Sequence, residues 1–423
     1  MKKVALLFPG QGSQYVGMGK TLHEKYSVVR ETFDEANEVL GFDIRKLCFE
    51  GGMEELTRTE NTQPAILTTS VAMFKVYMQE IGMEPSFLGG HSLGEITSLT
   101  CAGGIKFSDA VKIVHNRGKF MQEAASEGIG AMAAVSGLKQ QVVEEECLLV
   151  KGDDKLVVVS NYNSPNQIVI SGHKNAVEEV GKKLQEKGGR IVPLSVSAPF
   201  HSPLMKQAAV RLKEELNNYE YGKLKWPVLS NVTALPYEDS SMIIRNLERQ
   251  ITEPVQWQLI IQYLESQGVE FGIELGPKTV LKNLMKSNSN LIKGYAFDVE
   301  EDVLSLKNIE GGTENIKTEE KNNRIKVIEK CIAIAVCTKN SNWDNEEYQN
   351  GVVIPYRRIQ EMLLLLEKEG KEPSLEQMQE ALEMLRSVFN TKRTPIDEQI
   401  ERFNQVFSES GTRRLFTDFI MPA

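Results

Sequence analysis

The chain has 423 residues, of which 41% are hydrophobic and 25% are charged, and its formal net charge is −9 at pH 7. This length allows two or three domains with a large core, and the acidic balance argues against nucleic acid or an anionic membrane as the main partner. The apolar run at residues 4–8 is too short for a signal peptide or a membrane span, so we expect a cytoplasmic protein.

Residues 1–128 have the pattern of an α/β core. The run at 4–8 predicts a strand buried on both faces, and the glycine-rich loop that follows lacks the spacing of a phosphate-binding loop. Apolar spacing predicts the other elements of this part, which are helices at 19–40, 52–58, 62–81 and 107–127 and a strand at 83–89.

Residues 129–197 change character and predict a compact insertion. Strands are predicted at 129–136, 155–160, 167–171 and 190–197, and helices at 138–150 and 175–187. This β-α-β-β-α-β order is the signature of a ferredoxin-like subdomain. The core is expected to resume over 198–298, with strands at 228–231 and 271–275 and helices ending near 217 and at 241–250 and 255–267.

Two further segments follow this core. Residues 299–323 are polar with little periodicity and predict a linker. Residues 324–423 predict a mainly helical C-terminal extension, with helices at 324–336, 355–369, 374–389 and 395–407. Residues 343–345 and 353–358 are either a docking surface or part of a helical appendage that packs on the core.

Cysteines and histidines are dispersed along the chain. The five cysteines have no Cys-x-x-Cys spacing, and an odd, scattered set suits reduced thiols in a cytosolic protein. Cys101 lacks the local pattern of a nucleophile, so a buried apolar role is favoured. The five histidines have no metal-ligand spacing, and no metal site is expected.

The most informative motif is the Gly-x-Ser-x-Gly sequence at residues 90–94, with Ser92 at its centre. In such a motif the serine sits on a sharp turn between a strand and a helix, and small neighbours are needed because the backbones approach closely. The free N–H groups of the helix N-terminus favour developing negative charge. The motif therefore predicts a serine nucleophile that forms an acyl-enzyme.

A serine hydroxyl is a weak nucleophile that needs a base, and His201 is the best candidate. It follows Phe200 on a loop, whereas His91 adjoins Ser92 and is expected to point away on the tight turn. From the residues alone, a surface-loop histidine is an equally good interpretation of His201.

Arg117 lies one helix length beyond the Gly-x-Ser-x-Gly motif. Its planar guanidinium would bind a substrate carboxylate if it were buried, although its position alone favours a solvated helix arginine. Gln11, Gln63 and Gln250 lie in loops or at helix ends, where each could equally be a surface amide.

Taken in chain order, the motifs together resemble those of the malonyl-CoA:acyl carrier protein transacylases. They are Gly10–Gln14, Asn61–Ala65, Gly90–Glu95, Arg117 with Gly118, Asn161–Pro165, Pro199–Ser202, Ser230–Thr233, and Gln250 before Pro254–Trp257. Each piece is weak alone, but the ordered set is specific and covers residues 1 to about 298. The resemblance implies an α/β-hydrolase-like core with an inserted ferredoxin-like subdomain.

The resemblance also implies a role for each candidate site residue. Ser92 is the nucleophile that carries the malonyl ester, His201 is the general base and then the general acid, and Arg117 binds the malonyl carboxylate. The remaining roles are an oxyanion hole from the backbone N–H groups of Gln11 and Leu93, acyl positioning by Gln63, a carbonyl from Gln250 that orients the histidine, exclusion of an α-methyl branch by Phe200, and a thioester channel near Asn161 and Asn163.

The implied reaction transfers a malonyl group from malonyl-CoA to the phosphopantetheine thiol of an acyl carrier protein by a ping-pong route. No resident cofactor is expected, because the phosphopantetheine belongs to the partner. Residues 299–423 depart from the fatty-acid-synthesis members. They resemble extensions of discrete acyltransferases that serve polyketide synthases, whose modules are therefore expected partners.

Two alternatives from other classes stay open. A serine hydrolase or thioesterase of the α/β-hydrolase type would place an acidic residue between serine and histidine, and Asp109, Asp153 and Asp154 are available there. A degenerate scaffold that only binds carrier proteins is the second alternative, and the presence of an intact serine, histidine and arginine argues against it.

Overall fold

The computed structural model describes residues 2–125, 128, 130–150, 152, 155–194, 196, 198–310, 314–416 and 419–422. The chain divides into two compact units, Met1–Glu310 and Gly311–Ala423. The strands are β1 (Val4–Phe8), β2 (Phe87–Gly90), β3 (Gly130–Ser136), β4 (Val157–Ser164), β5 (Gln167–His173), β6 (Arg190–Pro193), β7 (Phe271–Glu274) and β8 (Lys293–Ala296).

The helices of the first unit surround two sheets. They are α1 (Lys20–Lys25), α2 (Ser27–Leu40), α3 (Ile44–Glu50), α4 (Met53–Thr57), α5 (Thr59–Glu80), α6 (Leu93–Cys101), α7 (Phe107–Ala125), α8 (Gln140–Leu149), α9 (Lys174–Glu186), α10 (Lys206–Leu216), α11 (Met242–Thr252), α12 (Trp257–Ser266), α13 (Val280–Asn288) and α14 (Glu300–Glu310).

The first sheet is parallel, with strand order β2-β1-β7-β8. Every residue of β1 is buried, and its side chains alternate between two hydrophobic clusters, with Leu6 and Phe8 in one and Ala5 and Leu7 in the other. The predicted strand buried on both faces is thus confirmed. The carboxyl ends of parallel strands lie at one edge, so the turn after β2 meets the loop after β1, and the His91 N–H donates to the Phe8 carbonyl at 3.0 Å.

The second sheet is antiparallel, with strand order β4-β5-β3-β6, and its elements follow the predicted order β-α-β-β-α-β. Helices α8 and α9 cover one face with a separate hydrophobic cluster. Strand β4 continues beyond the predicted residue 160 to Ser164 through two register shifts, and Asn161 and Asn163 lie in this extension. Residues 129, 195 and 197 of the predicted strands lie outside the described residues.

The prediction of a linker at 299–323 is wrong for its described part. Glu300–Glu310 is helix α14, and a second helix begins at Glu314. The acidic residues that suggested a linker lie in the first turn of α14, where their negative charges interact favourably with the helix dipole. Asp302 also accepts from the Ala296 N–H at 2.7 Å, and Leu306 is fully buried. The first unit therefore ends at Glu310, beyond the predicted end near residue 298.

Other elements differ in detail. The predicted strand at 228–231 makes only isolated bridges, such as that between Val228 and Leu88. It begins directly after Pro227, which has no N–H to donate to a ladder. The predicted helix at 19–40 is interrupted at Tyr26, whose backbone is extended. Helices α3 and α13 and strand β8 were not predicted.

The second unit is helical, which confirms the predicted C-terminal extension. Its helices are α15 (Glu314–Cys337), α16 (Asn345–Tyr348), α17 (Ile354–Glu369), α18 (Leu375–Lys392) and α19 (Ile396–Ser410), with a π-helical turn at Gln349–Val353. It has its own core, in which the rings of Phe389 and Phe403 meet edge to face at 5.4 Å. Among the helices that the structure describes, none is long and apolar enough to cross a membrane.

Candidate active site

The nucleophile elbow, the turn at residues 90–94 between β2 and α6, requires both of its glycines. A Cβ on Gly90 would lie 2.0 Å from the backbone of Gly94, and a Cβ on Gly94 would lie 1.9 Å from the Phe8 carbonyl oxygen. Ser92 itself has a φ of 53°, a strained backbone conformation for a non-glycine residue. The turn therefore holds Ser92 at the N-terminus of α6 at an energetic cost.

Ser92 and His201 form a hydrogen-bonded pair. Ser92 Oγ lies 2.9 Å from His201 Nε2, and His201 Nδ1 lies 2.6 Å from the main-chain oxygen of Gln250. A carbonyl oxygen can only accept, so Nδ1 carries the proton and Nε2 is left to accept the serine proton. The histidine is thus in the tautomer that a general base needs.

The Gln250 carbonyl is available to His201 because of its position in α11. It lies in the last turn of this helix, and the residue four positions later, Pro254, has no N–H to donate. A carbonyl at a helix C-terminus also favours a positive charge. His201 thus faces a helix C-terminus while Ser92 lies at a helix N-terminus, an arrangement that favours positive charge on the imidazole and negative charge beside the serine.

His201 is buried beside a cation and is neutral at physiological pH. Burial, together with the charge of Arg117, lowers the pKa of His201 to about 3, and the hydrogen bond to Gln250 opposes this shift. An unprotonated histidine can accept the Ser92 proton over the whole neutral range.

Arg117 is buried, with 2% of its surface exposed. Its terminal nitrogens donate to Gln63 Oε1 at 2.8 Å, to Gln250 Oε1 at 3.0 Å and to Ser92 Oγ at 3.2 Å. Burial lowers its pKa to about 10, so it remains a cation at neutral pH. Among the described residues Arg117 makes no direct ion pair, its Nε has no hydrogen-bond partner, and the charge of Glu95 only opposes the lowering of its pKa from further away. A buried cation that makes no direct ion pair is a natural site for a substrate carboxylate.

Ser92, His201 and Arg117 line a cavity with a volume of about 520 Å³, and the other predicted residues lie in its wall or just behind it. Gln63 and Gln250 contact Arg117 from behind, outside the cavity lining. Leu93 is the first residue of α6, so its N–H has no intrahelical partner. The predicted residues that line the cavity are Gln11, Ser92, Leu93, Arg117, Asn161, Asn163, Phe200 and His201.

Comparison with known proteins gives the same family from sequence and from structure. Residues 5–302 match the acyl transferase domain family. A malonyl CoA-acyl carrier protein transacylase of Bacillus subtilis is 40% identical over 95% of this chain and 99% of its own length. An Escherichia coli protein of the same name is 45% identical over 68% of this chain and 93% of its own length. The chain belongs to the malonyl CoA-acyl carrier protein transacylase family.

A solved transacylase from this family superimposes on the chain with a TM-score of 0.71. It is 40% identical, covers 73% of this chain and 100% of its own, and was solved with its holo type II polyketide synthase acyl-carrier protein. Because the Bacillus subtilis transacylase matches 95% of this chain, its similarity extends into the C-terminal unit, whereas the Escherichia coli transacylase matches only 68%.

The hydrogen bonds of His201 in this chain argue against the alternative of a serine hydrolase with an acidic triad. In an acidic triad a carboxylate would hold His201 Nδ1, but here the main-chain oxygen of Gln250 does so. Asp109 lies in the first turn of α7. The other two proposed acids, Asp153 and Asp154, lie outside the described residues.

Sequence reasoning missed two polar residues beneath the elbow. Asn231 accepts from the Ser92 N–H through Oδ1 at 2.6 Å and donates to the Gly90 carbonyl through Nδ2 at 2.6 Å. Glu95 is buried beside it and accepts from the Asn231 N–H at 3.0 Å. Burial raises the pKa of Glu95 to about 7, against its hydrogen bonds. Both residues lie in motifs that carry the family resemblance, Gly90–Glu95 and Ser230–Thr233, but the sequence assigned neither of them a role.

Proposed function

We propose that this chain transfers a malonyl group from malonyl-CoA to the phosphopantetheine thiol of an acyl carrier protein through an ester on Ser92. The observation that carries the proposal is the buried guanidinium of Arg117, which lies 3.2 Å from the nucleophile and has no carboxylate partner among the described residues. A cation at this distance selects an acyl group that ends in a carboxylate.

The same groups serve both halves of the reaction. In the first half, His201 Nε2 accepts the Ser92 proton as Oγ attacks the thioester carbonyl, and it then protonates the departing CoA sulfur. The backbone N–H groups of Gln11 and Leu93 stabilise the oxyanion. In the second half the carrier thiol gives its proton to His201 and attacks the malonyl ester, which regenerates Ser92. No resident cofactor or metal takes part.

We propose further that the first unit is an α/β-hydrolase-like core interrupted by a ferredoxin-like subdomain. The core is 1–128 with 198–298, and α14 extends it to residue 310. Its support is the parallel sheet with a nucleophile elbow after β2. The subdomain, residues 129–197, is supported by the antiparallel order β4-β5-β3-β6, which is the strand order of a ferredoxin-like sheet.

The remaining site residues shape the channel. Gln63 positions Arg117, and Asn161 and Asn163 line the wall along which the thioester enters. Asn163 Oδ1 also lies 2.8 Å from His91 Nε2, so this ring nitrogen has a partner other than Ser92. Phe200 restricts the acyl pocket beside the base.

Intact-protein mass spectrometry after mixing with malonyl-CoA or acetyl-CoA tests the proposed function. We expect a malonyl adduct that maps to Ser92, a weak acetyl adduct, and no adduct on Ser92→Ala. Release of free CoA without an adduct, at equal rates for both thioesters, would instead assign the chain to the serine hydrolases.

Replacing Phe200 with serine is expected to admit methylmalonyl groups. Phe200 is 9% exposed and lines the cavity next to His201, so its removal opens space for one methyl branch. In a competition between malonyl-CoA and methylmalonyl-CoA, the preference for malonyl should fall by about tenfold, the scale of one methylene in a pocket. An unchanged preference would show that Phe200 does not set branch selectivity.

We propose a carrier of a polyketide synthase as the acceptor and the cytoplasm as the compartment. The support for the carrier is the C-terminal unit, a segment that the Bacillus subtilis transacylase shares, and the support for the compartment is the set of free thiols.

A chain that ends at Glu310 tests whether the second unit docks the carrier. The first unit has its own core and contains residues 5–302, which match the acyl transferase domain family, so we expect it to fold and load malonyl at the full rate. Transfer to the natural carrier should fall, while transfer to free pantetheine should not. Equal transfer by both chains would make the second unit an appendage without a docking role.

A further inference from the structure

Glu95 is a buried carboxylate to which the proposed mechanism gives no role. It lies in the first turn of α6 and is 0% exposed. Its Oε1 accepts from the Tyr237 hydroxyl at 2.5 Å, and its Oε2 accepts from the Asn231 N–H at 3.0 Å and from Gln250 Nε2 at 2.7 Å. A backbone N–H and a carboxamide nitrogen can only donate, so Oε2 serves as an acceptor for both.

Ser92 and Glu95 have the spacing of a helix capping box, but they do not form one. In a capping box the serine side chain accepts from the N–H of the third helical residue, and the glutamate reaches back to the serine N–H. Here the Ser92 side chain makes no cap bond, and its N–H donates to Asn231 Oδ1 instead. The Ser92 hydroxyl is thereby left for His201, and the Glu95 carboxylate is left for Gln250.

The Gln250 carboxamide connects Glu95 to the acyl site. Besides Glu95, its Nε2 reaches the main-chain oxygen of Ser92 at 2.9 Å, while its Oε1 accepts from Arg117 at 3.0 Å. If the carboxamide were reversed, its oxygen would face the Glu95 carboxylate and its NH2 group would face the guanidinium. Asn231 Oδ1 is a third, more distant acceptor for Nε2 at 3.3 Å. Three acceptors on one side and a cation on the other therefore fix a single orientation.

We infer that Glu95 is a positioning residue for acyl selection: through Oε2 it holds the Gln250 side chain so that Arg117 is aimed at the carboxylate of the acyl group beside Ser92. The inference rests on the proposed function of Arg117. It assigns to Glu95 a role that depends on the reach of its side chain to Gln250. Acyl groups without a carboxylate do not use Arg117, so Glu95 affects them less.

Two conservative variants of the full chain separate reach from charge. Glu95→Gln keeps the length of the side chain and one acceptor oxygen, whereas Glu95→Asp keeps the charge and withdraws the oxygen by one methylene. The readout is the ratio of malonyl to acetyl loading on Ser92, measured by intact mass after a short reaction. We expect the glutamine variant to keep the ratio and the aspartate variant to lower it about tenfold or more, the loss of one hydrogen bond to a charged group.

Tyr237→Phe is the matched control, because it removes the donor to Oε1 and leaves the bond between Oε2 and Gln250 intact. Its ratio should equal that of the wild type even if its thermal stability falls.

Three results would overturn the inference. They are equal losses of malonyl and acetyl loading in the aspartate variant, a lower ratio in the glutamine variant than in the aspartate variant, and a ratio lowered tenfold or more in the glutamine variant. If the aspartate variant does not fold, the ratio of malonyl to acetyl loading in the glutamine variant is enough to decide the inference. Failure of the wild-type chain to load malonyl would reject the proposed function itself, which the same experiment records separately.

Discussion

Replacing Arg117 with alanine is expected to lower malonyl loading of Ser92 by about 100-fold or more. The guanidinium and the malonyl carboxylate would form a buried ion pair, and removing one partner of such a pair costs about 3–5 kcal/mol. Acetyl loading should change much less, since an acetyl group offers the guanidinium nothing to bind. Rapid mixing followed by intact-mass measurement gives both rates. A variant that loads malonyl at the wild-type rate would remove Arg117 from the account of selectivity.

The same substitution should change the pH dependence of acetyl loading. The charge of Arg117 contributes, after burial, to the lowered pKa of His201, so removing this charge raises that pKa toward the ordinary histidine range. The loss of loading on acidification should then begin at a higher pH than in the wild type. Arg117→Lys is the control: it keeps the charge and loses the planar fork, so malonyl loading should fall while the acidic limb stays in place.

Replacing His201 with alanine is expected to lower loading with either thioester by about 10²–10⁴-fold, the usual contribution of a general base. In the wild type, the rate should stay level as the pH falls below the ordinary histidine range, because burial and Arg117 lower the pKa of His201 to about 3. Loading is lost only when the pH falls through that value and Nε2 becomes protonated.

His91→Ala is the matched control, since this half-buried histidine adjoins Ser92 but contacts Asn163 instead. A loss as large as that of His201→Ala would contradict the assignment of the base.

The reacting residues could be predicted from the sequence, because their chemistry depends on residue type and on the order of the motifs along the chain. The Gly-x-Ser-x-Gly sequence is typical of such an elbow, and β1 is recognisable because five consecutive apolar residues favour a strand buried on both faces. The family was therefore identified from motifs, and the comparisons confirm it. The placement of Arg117 in the interior required the fold, since its position in the sequence alone favours a solvated helix arginine.

Other parts depend on contacts between distant segments. Asn231 and Glu95 are 136 residues apart in the sequence, and the local sequence around either residue does not predict their contact. The acidic start of α14 looks like a polar linker until Asp302 is seen to accept from Ala296. The group that orients His201 is the main-chain oxygen of Gln250, which the family resemblance implied and which no feature of the residues alone predicted.

That main-chain contact makes the base unusually tolerant of genetic change. In an acidic triad a single substitution can delete the carboxylate that orients the histidine. Here the main chain at position 250 supplies the oxygen, so a substitution there changes what faces Arg117 and Glu95 but keeps an acceptor for His201. A lineage can therefore alter acyl selectivity at this position while the catalytic histidine keeps its orientation.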